Sequence, residues 1–382
     1  MKVDESIGGY VANEVERIRV LSKEFVVYAF VLISLSNLMM VRAYTNIWFK
    51  GVNARITVLP YVNVYGARIL SRVAAGTIVG FSIVLLHLSK GVDLIISRDS
   101  AASIPVLLAS KIAHVRFLYN ALSVPFGYRE TKLLGGYLMR GRGASYAMML
   151  IDYFVLQKAN YVGVATRDLD KELLAVFGRN YQRKVIILPF PVAEEFFSCS
   201  LEVRPKSDVH LVYGGSVYGL YDFSHLVEAL DAMARAGQGV SMAIYTREKG
   251  RQRLRGLVSE RSFVTVRDYV QRERLITILR DATAVVIPLS VGTPGISRKA
   301  VEAMALGTPV IISNPPDDGI FRDGETCVVV SENTAEGWRS AIMRVVVPEF
   351  RERIIRGARE EAEAFRSARN VEAIAGLLRN LP

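Results

Sequence analysis

Three charged side chains that could bind a phosphorylated ligand occur together near residue 300. Arg298 and Lys299 are consecutive, and Glu302 follows three residues after the lysine. On a helix, this spacing places the glutamate on the same face as the two cations. Guanidinium and ammonium groups suit a phosphate, whereas a carboxylate accepts hydrogen bonds from the hydroxyls of a sugar or a ribose. The cluster therefore predicts a site for a ligand that carries both phosphate and hydroxyl groups.

The sequence around this cluster predicts the elements that hold it. The apolar run 285–289 predicts a strand, and a glycine-containing loop covers 292–295. A short helix ends at Gly307, before a second apolar strand over 310–313. Strand, loop, helix and strand in this order form one unit of a parallel α/β sheet. The loop follows the carboxyl end of its strand, where open sheets bind ligands and where free helix-start amides favour an anion.

The same segment resembles the donor-site motif of the retaining family 4 of GT-B glycosyltransferases, also called group 1. Residues 302–311 match the second half of that motif, Glu-Ala-Met-Ala-x-Gly-x-Pro-Val-Ile. The resemblance implies that Glu302 binds the ribose of a nucleotide-sugar donor. Gly295 and Lys299 match a variant with Gly-x-x-x-Lys ahead of the glutamate, so the resemblance also places Gly295 and Ile296 at the donor.

The chain departs from the family pattern at three donor positions. The first glutamate of the motif corresponds to Pro294. In the family, a strand–glycine–helix unit carries an arginine and a lysine on the donor diphosphate, and these positions are Ser216 and Tyr221 here. Lys299 and Arg298 are therefore expected to carry more of the charge that faces the diphosphate.

Backbone groups and one ring complete the expected donor site. The turn Gly214-Gly215-Ser216 follows the predicted strand 210–213, and the amides of Gly215 and Gly295 are expected to face the phosphates. The segment 264–270 occupies the place where the family holds the nucleotide base. Tyr269 is expected to contact that base, although a surface loop is the plain alternative.

The first half of the chain is expected to bind the acceptor. Polar residues follow its predicted strands, with Arg98 and Asp99 after 92–96 and Asn120 after 115–119. Asn120 stands where the family often has a histidine, so it can hold a sugar hydroxyl but cannot shuttle a proton. Gly8 and Gly9 resemble the family's helix start on the acceptor side, but the strand that should precede them is short or missing.

These features predict an α/β protein of GT-B fold, with two Rossmann-like doubly wound parallel-sheet domains facing a cleft. We expect an acceptor-side domain over 1–190, a donor domain over 191–365, and a final helix over about 366–382 that packs back on the first domain. The proline-flanked charged stretch 191–207 predicts a linker between the two.

Composition limits the other classes of site. The 382 residues include only two cysteines and four scattered histidines, so neither a disulfide framework nor a metal site is expected. Asp168-Leu169-Asp170 spells Asp-x-Asp, but it lies at a predicted helix start, where acids favour the helix dipole. We expect no metal and no cofactor other than the nucleotide sugar as co-substrate.

The net positive charge is confined to the first half of the chain. Residues 1–190 carry 23 Lys+Arg against 12 Asp+Glu, whereas residues 191–382 carry 25 of each. Between Thr131 and Ile151 the only charges are Lys132, Arg140 and Arg142, set among apolar residues. Mixed basic and apolar surfaces suit anionic membranes. The plain alternative is a solvated helix on the sheet.

Two uncharged apolar stretches, 25–41 and 73–88, fall short of the roughly 20 residues needed to span a bilayer. The first predicts a buried strand followed by a loop or helix. No secretory signal is expected, because acidic residues interrupt the start of the chain before any apolar region.

The sequence therefore predicts a cytoplasmic, metal-independent, retaining hexosyltransferase for glycan biosynthesis, peripheral on the inner leaflet, with a lipid-linked or oligosaccharide acceptor. Retention follows from the resemblance, as does the proposal that the departing phosphate oxygen takes the acceptor proton. The alternatives are a non-catalytic GT-B relative acting as a binding or scaffold protein, and a sugar-nucleotide epimerase. A basic nucleic-acid-binding protein is disfavoured because the basic half carries no nucleic-acid module.

Overall fold

The structure is a computed structural model of the whole chain. It describes residues 9–34, 52–61, 68–98, 100–121, 142–178, 185–198, 208–217, 219–259, 261–290, 297–316 and 319–379. The chain divides into two compact units. Unit 1 comprises residues 1–191 and 367–382, and unit 2 comprises residues 192–366.

Unit 1 contains parallel strands flanked by helices. Its strands are β1 (Val27–Ser34), β2 (Ala54–Tyr61), β3 (Leu94–Ser97), β4 (Arg116–Ala121), β5 (Tyr161–Val164) and β6 (Val185–Ile187). β1 pairs with β2, and β3, β4, β5 and β6 form a four-stranded sheet in chain order, with every pair parallel. Its helices are α1 (Gly9–Leu21), α2 (Arg68–Lys90), α3 (Ser100–Ile112), α4 (Arg142–Lys158) and α5 (Arg167–Phe177).

Unit 2 is one six-stranded parallel sheet. Its strands are β7 (Val209–Gly214), β8 (Val240–Thr246), β9 (Val264–Asp268), β10 (Ala284–Pro288), β11 (Val310–Ser313) and β12 (Val328–Val330). They lie in the order β12-β11-β10-β7-β8-β9. The order reverses between β7 and β10, which is the doubly wound arrangement expected from the sequence.

The helices of unit 2 enclose this sheet. They are α6 (Ser224–Arg235), α7 (Glu248–Val258), α8 (Arg272–Arg280), α9 (Arg298–Leu306), α10 (Ala335–Val345) and α11 (Pro348–Ala362). α9 is short and rich in alanine, and it packs against α8, α11, β10 and β11. Its alanines are completely buried. Because their side chains are small, these neighbouring elements can pack closely against the helix. Gly307 ends the helix in the left-handed region, with φ 74°.

The final helix, α12 (Ser367–Arg379), belongs to unit 1. Arg17 of α1 donates one hydrogen bond to Asn370 Oδ1 (3.0 Å) and another to the carbonyl of Pro189 (3.2 Å). Asn370 also donates to that carbonyl, at 3.1 Å. These buried bonds join α1, α12 and the segment after β6, so the C-terminal residues complete the first unit.

The predicted linker over 191–207 is wrong in its first part. Val192 to Ser198 belong to unit 2, where the amide of Val192 donates to the carbonyl of Phe365 at 2.8 Å. A short 3₁₀ helix, Glu194–Phe196, follows, and Phe196 is buried. Apolar residues between the charged ones pack this segment into the core. Residues 199–207 lie outside the described part of the chain.

The structure also describes parts of the two uncharged apolar stretches, 25–41 and 73–88. Residues 27–34 of the first stretch form strand β1, and residues 35–41 lie outside the described part. The second stretch, with 16 residues, is predicted to be too short to span a bilayer, but the helix that contains it, α2, extends beyond it at both ends to 23 residues. The flanking residues include Arg68, Leu70 and Lys90, which are good helix formers, so the helix continues beyond the uncharged stretch.

Candidate functional site

The candidate site lies where the strand order of unit 2 reverses. β7 and β10 are neighbours there, and their carboxyl ends are Gly214 and Pro288. The chain after β7 returns to the end of β10: the amide of Asp222 donates to the carbonyl of Pro288 at 2.9 Å, and the amide of Ser290 donates to the carbonyl of Leu220 at 2.9 Å. The loop between β7 and α6 is thereby fixed at this edge of the sheet.

Lys299 reaches this edge from the first turn of α9. Its ammonium donates a 2.7 Å hydrogen bond to the hydroxyl of Tyr213. Nζ also lies 4.1 Å from the ring centroid of Tyr213 and 4.2 Å from that of Tyr221. Two aromatic rings therefore hold the ammonium by cation–π contact, in addition to the hydroxyl.

The tyrosines are themselves held in place. The hydroxyl of Tyr213 donates to the carbonyl of Ser216 at 2.7 Å. Its ring packs edge-to-face on Tyr221 at 5.5 Å and on Phe223 at 5.0 Å. Tyr213 is completely buried. The position of the ammonium is thus set by a rigid aromatic group rather than by the flexible lysine side chain.

This enclosure changes the protonation of the lysine. Burial lowers the pKa of Lys299 to about 7, and the negative charge of Glu302 opposes the shift. Removing an ammonium from water disfavours its charged form. Near neutral pH the side chain is therefore balanced between the charged and the neutral form, and a bound anion would favour the charged one.

Arg298 and Glu302 form an ion pair beside the lysine. The distance from Arg298 Nε to Glu302 Oε1 is 2.7 Å, and Glu302 is only 9% exposed. Tyr269 lies close to this pair: the pKa of its hydroxyl is raised by desolvation first and by Glu302 next, while Arg298 opposes the shift. The structure therefore brings Arg298, Lys299, Glu302 and Tyr269 into one neighbourhood, with a carboxylate available to hydroxyl groups.

One expected amide donor is already occupied. The N–H of Gly215 donates to the carbonyl of Tyr245 at 2.9 Å, which extends the ladder between β7 and β8. Gly215 was expected to offer this amide to a phosphate, and the structure corrects that role. The residue has φ +142°, and a Cβ there would lie 2.9 Å from Lys299 Nζ. Glycine is needed because a side chain would be strained and would displace the lysine.

The two positions that lack the family's cations are both beside Lys299. Ser216 supplies the carbonyl that accepts the Tyr213 hydroxyl, and Tyr221 supplies a ring to the ammonium. The ammonium of Lys299 therefore lies close to where the side chain of a lysine at position 221 would be. The sequence did not indicate the roles of Tyr213 and Tyr221. The feature of the sequence that could have indicated these roles is the presence of two tyrosines near the Gly-Gly-Ser turn.

The acceptor-side residues lie in unit 1. Asn120, in β4, is 2% exposed, and within the described residues its Nδ2 has no hydrogen-bond partner. Arg98 forms an ion pair with Glu14 of α1, at 2.5 Å. Gly9 is the first described residue and begins α1.

Several predicted positions lie outside the described part of the chain. These are Gly8, Asp99, Pro294, Gly295, Ile296, Lys132 and Arg140, and the same holds for the side chain of Arg142.

The Asp-x-Asp sequence lies at a helix start. α5 begins at Arg167, and the side chain of Thr166 accepts a hydrogen bond from the amide of Leu169 at 3.1 Å. Residues 168–170 are therefore in the first turn. Across the described residues, His, Cys, Asp and Glu form no group of three that could hold a metal ion.

Comparison with known families agrees with this geometry. Residues 209–347 match the family of glycosyl transferases group 1. This segment contains the switch point of unit 2 together with Lys299 and Glu302. A curated relative, the D-inositol 3-phosphate glycosyltransferase of Saccharomonospora viridis, is 28% identical over 189 residues, which cover 46% of this chain and 43% of the relative. The chain thus aligns with less than half the length of that relative.

Solved structures show the likeness in fold. The Anabaena protein HepE, solved in complex with UDP, has a TM-score of 0.73 at 12% identity and covers 99% of this chain, with 98% of its own length matched. A sucrose-phosphate synthase from Thermosynechococcus elongatus has a TM-score of 0.61 at 16% identity, over 92% of this chain and 98% of its own. The GT-B fold and the resemblance to group 1 glycosyltransferases are therefore confirmed.

Proposed function

We propose that this protein is a glycosyltransferase that takes a sugar from a nucleotide-sugar donor bound at the switch point of unit 2. The observation that carries the proposal is the enclosed ammonium of Lys299 beside the buried carboxylate of Glu302, at the carboxyl edge between β7 and β10. Open α/β sheets bind nucleotides at such edges. The group 1 match covers the same residues.

The donor groups divide between these side chains according to their chemistry. Glu302 accepts hydrogen bonds from the ribose hydroxyls, and Lys299 faces the diphosphate. Tyr269 is positioned to contact the base. HepE was solved with UDP, so a uridine diphosphate sugar is the first donor to test.

The proposed reaction is metal-independent and retains the anomeric configuration. The bond from the sugar C1 to the phosphate oxygen breaks, and a bond from C1 to the acceptor oxygen forms. The acceptor proton passes to the departing phosphate oxygen, so no protein base is required. Lys299 stabilises the negative charge that grows on the leaving diphosphate. Asn120, on the acceptor side, holds a sugar hydroxyl.

A second candidate is a non-catalytic protein that binds a nucleotide sugar. One observation favours it: Arg298 is paired with Glu302, and Ser216 and Tyr221 stand where the family has cations. Such a protein would bind the donor but would lack the positive charge needed to stabilise its departure. The sequence-based epimerase alternative has no comparable observation in its favour.

One experiment separates these candidates. A panel of nucleotide sugars is screened by titration calorimetry, and each ligand that binds is then incubated with the protein in the absence of acceptor. Slow release of the free sugar, with NMR showing the retained anomer and with the rate unchanged by a chelator, supports the transferase. Tight binding without any hydrolysis, and without transfer to lipid-linked or glycan acceptors, supports the binding protein. Failure of every nucleotide sugar to bind would contradict both.

The acceptor and the location belong to the same proposal. We place the enzyme on the cytoplasmic membrane surface, with a lipid-linked or membrane-proximal acceptor, because the net charge of +11 lies in the first half of the chain. Anionic headgroups attract such a surface.

A further inference from the structure

The outer face of α2 is apolar along its whole length. Its exposed residues recur every three or four positions, as one face of a helix does. The large ones are Leu70, Ile78, Phe81, Leu85 and Leu88, and the exposed fraction is 67% for Phe81 and 77% for Leu88. Between Leu70 and Leu88 only Thr77 adds a polar side chain to this exposed face. Contiguous apolar surface of this extent marks an interaction site.

The inner face of α2 is fixed in the core of unit 1. Val79 and Ile83 are buried in the same cluster as Ile95 of β3 and Phe117 of β4. Gly76 and Gly80 allow α3 to approach closely, since a Cβ on Gly76 would lie 2.5 Å from the carbonyl oxygen of Ala102. Within the described residues, 69–90 are long and apolar enough to cross a membrane, and an 18-residue window among them has mean hydropathy 2.0. Because the inner face is committed to the sheet, only the outer face is available to lipid.

Two neighbouring helices extend the apolar face. α2 packs on α3, and α3 packs on α4. Leu108 and Ile112 are exposed on α3, and Leu150, Tyr153 and Phe154 are exposed on α4. We call this surface, formed by the exposed residues of α2, α3 and α4, the three-helix face.

Among the described residues, the exposed charges on the three helices themselves are all basic, and the first exposed acid beyond α2 is Asp93. α2 and α3 contain no acidic residue, and the single acid of α4, Asp152, is buried and accepts from the hydroxyl of Tyr119 at 2.9 Å. Each helix has an exposed lysine near its C-terminal end: Lys90, Lys111 and Lys158. These helices precede β3, β4 and β5, which are parallel neighbours, so the three lysines lie toward one edge of the sheet.

We propose that the three-helix face docks the protein on a bilayer that contains anionic phospholipids. The aliphatic and aromatic side chains enter the boundary between headgroups and acyl chains, and the lysines contact the phosphates. The absence of exposed acids on these helices favours lipid headgroups over an acidic or mixed protein surface. The function of this docking surface rests on the proposed action of the enzyme at a membrane. The surface lies on α2, α3 and α4 and does not include the stretch 131–141.

Flotation with vesicles tests the surface. The chain of 382 residues is mixed, without any nucleotide, with vesicles of phosphatidylcholine alone or of equal parts phosphatidylcholine and phosphatidylglycerol. We expect binding to the anionic vesicles that weakens as salt is raised. The variant I78S/F81S/L85S should lose on the order of 100-fold in partitioning. The matched control M343S/V347S, on exposed apolar residues of unit 2, should bind within about twofold of the parent.

A tryptophan reporter locates the contact. Phe81→Trp should show a blue shift and quenching by brominated lipids, whereas Val347→Trp should show neither. Equal binding to neutral and anionic vesicles, no binding to either, or full binding by I78S/F81S/L85S would overturn the proposal. So would a dimer of the parent in solution that I78S/F81S/L85S abolishes, since a second copy would then be the occupant. Nucleotide-sugar affinity, measured without lipid, tests the proposed function separately.

Discussion

Both units are built from parallel strands and helices, but they use their polar and apolar groups in opposite ways. In unit 2, a cation is enclosed at the strand ends between aromatic rings, and the outer surface is covered by ion pairs such as Arg339 with Glu336. In unit 1, Asn120 of β4 is a buried neutral amide, and α2, α3 and α4 expose large apolar side chains. Among the described residues, twelve of the fifteen large hydrophobic side chains that are exposed belong to unit 1.

This difference indicates a division of tasks within a repeated fold. A parallel sheet with crossover helices leaves its strand ends and its outer helix faces free to vary. Unit 2 encloses one cation, Lys299, at its strand ends, where an anionic ligand can be desolvated. Unit 1 exposes apolar side chains and the lysines at residues 90, 111 and 158 on its outer helices, where a larger partner can contact them. If this division is correct, nucleotide-sugar binding depends on residues of unit 2.

The largest effect is expected at Glu302. Replacing it with alanine removes a buried acceptor from the ribose, so nucleotide-sugar affinity should fall by about 1.5–3 kcal/mol, as for a hydrogen bond to a charged group. Glu302→Gln keeps the shape and one acceptor oxygen, so it should lose less. Titration calorimetry measures both.

The matched control for this variant is Glu336→Ala. That glutamate also pairs with an arginine on its own helix, at 2.8 Å, but it is exposed. Exposed ion pairs contribute little to stability, so the Glu336→Ala variant should stay folded. Its donor affinity should therefore stay within about twofold of that of the parent. If Glu302→Ala binds every nucleotide sugar as the parent does while remaining folded, the donor site has been assigned to the wrong edge.

The second effect concerns the protonation of Lys299. Its pKa is lowered to about 7 by burial, so the ammonium loses its proton as pH rises above that value. A nucleotide sugar keeps its diphosphate charge over this range and should bind the protonated form. Affinity should therefore fall about fivefold between pH 7 and pH 8. Lys299→Arg should flatten this profile, because arginine stays charged.

The stability of the free protein should change in the opposite direction. The folded pKa of Lys299 lies below its ordinary value of 10.5, so the unfolded chain binds more protons between these two pH values. The free energy of unfolding should therefore rise with pH through this window, and Lys299→Met should reduce that dependence. If the donor affinity of the parent is constant from pH 6 to pH 9, Lys299 does not contact the diphosphate and its assigned role is wrong.

The sequence predicted the framework of unit 2 more completely than its site. Alternating apolar strands and helices indicated the doubly wound sheet, and the spacing of Arg298, Lys299 and Glu302 placed them on one helix face. These are local properties that periodicity reveals. The enclosure of Lys299 by Tyr213 and Tyr221 depends on contacts between residues about 80 positions apart in sequence, which no local pattern encodes.

The errors have the same origin. The amide of Gly215 was expected to be free, but a neighbouring strand uses it, and strand order is a non-local property. Residues 192–198 fall within the stretch 191–207, which is predicted to be a linker because it is charged and flanked by prolines. Its apolar residues find partners in α11 and in the chain after it, which composition does not show.

The smallest effect is expected at Tyr221. Its ring lies 4.2 Å from Lys299 Nζ and favours the charged form of the lysine, by about 0.5–1 kcal/mol for a cation–π contact of this kind. Tyr221→Leu should therefore lower the pH at which donor affinity falls by about half a pH unit. Tyr221→Phe, which keeps the ring, should leave the midpoint in place.

Tyr221→Lys puts a second cation beside Lys299, at the position where the family carries its own lysine. It should lower the midpoint further, because like charges disfavour each other, yet it should strengthen binding above pH 8, where the added lysine keeps its charge. If Tyr221→Lys instead left the midpoint unchanged, the two positions would not share one space, and the view that Lys299 replaces the family's missing cation would have to be abandoned.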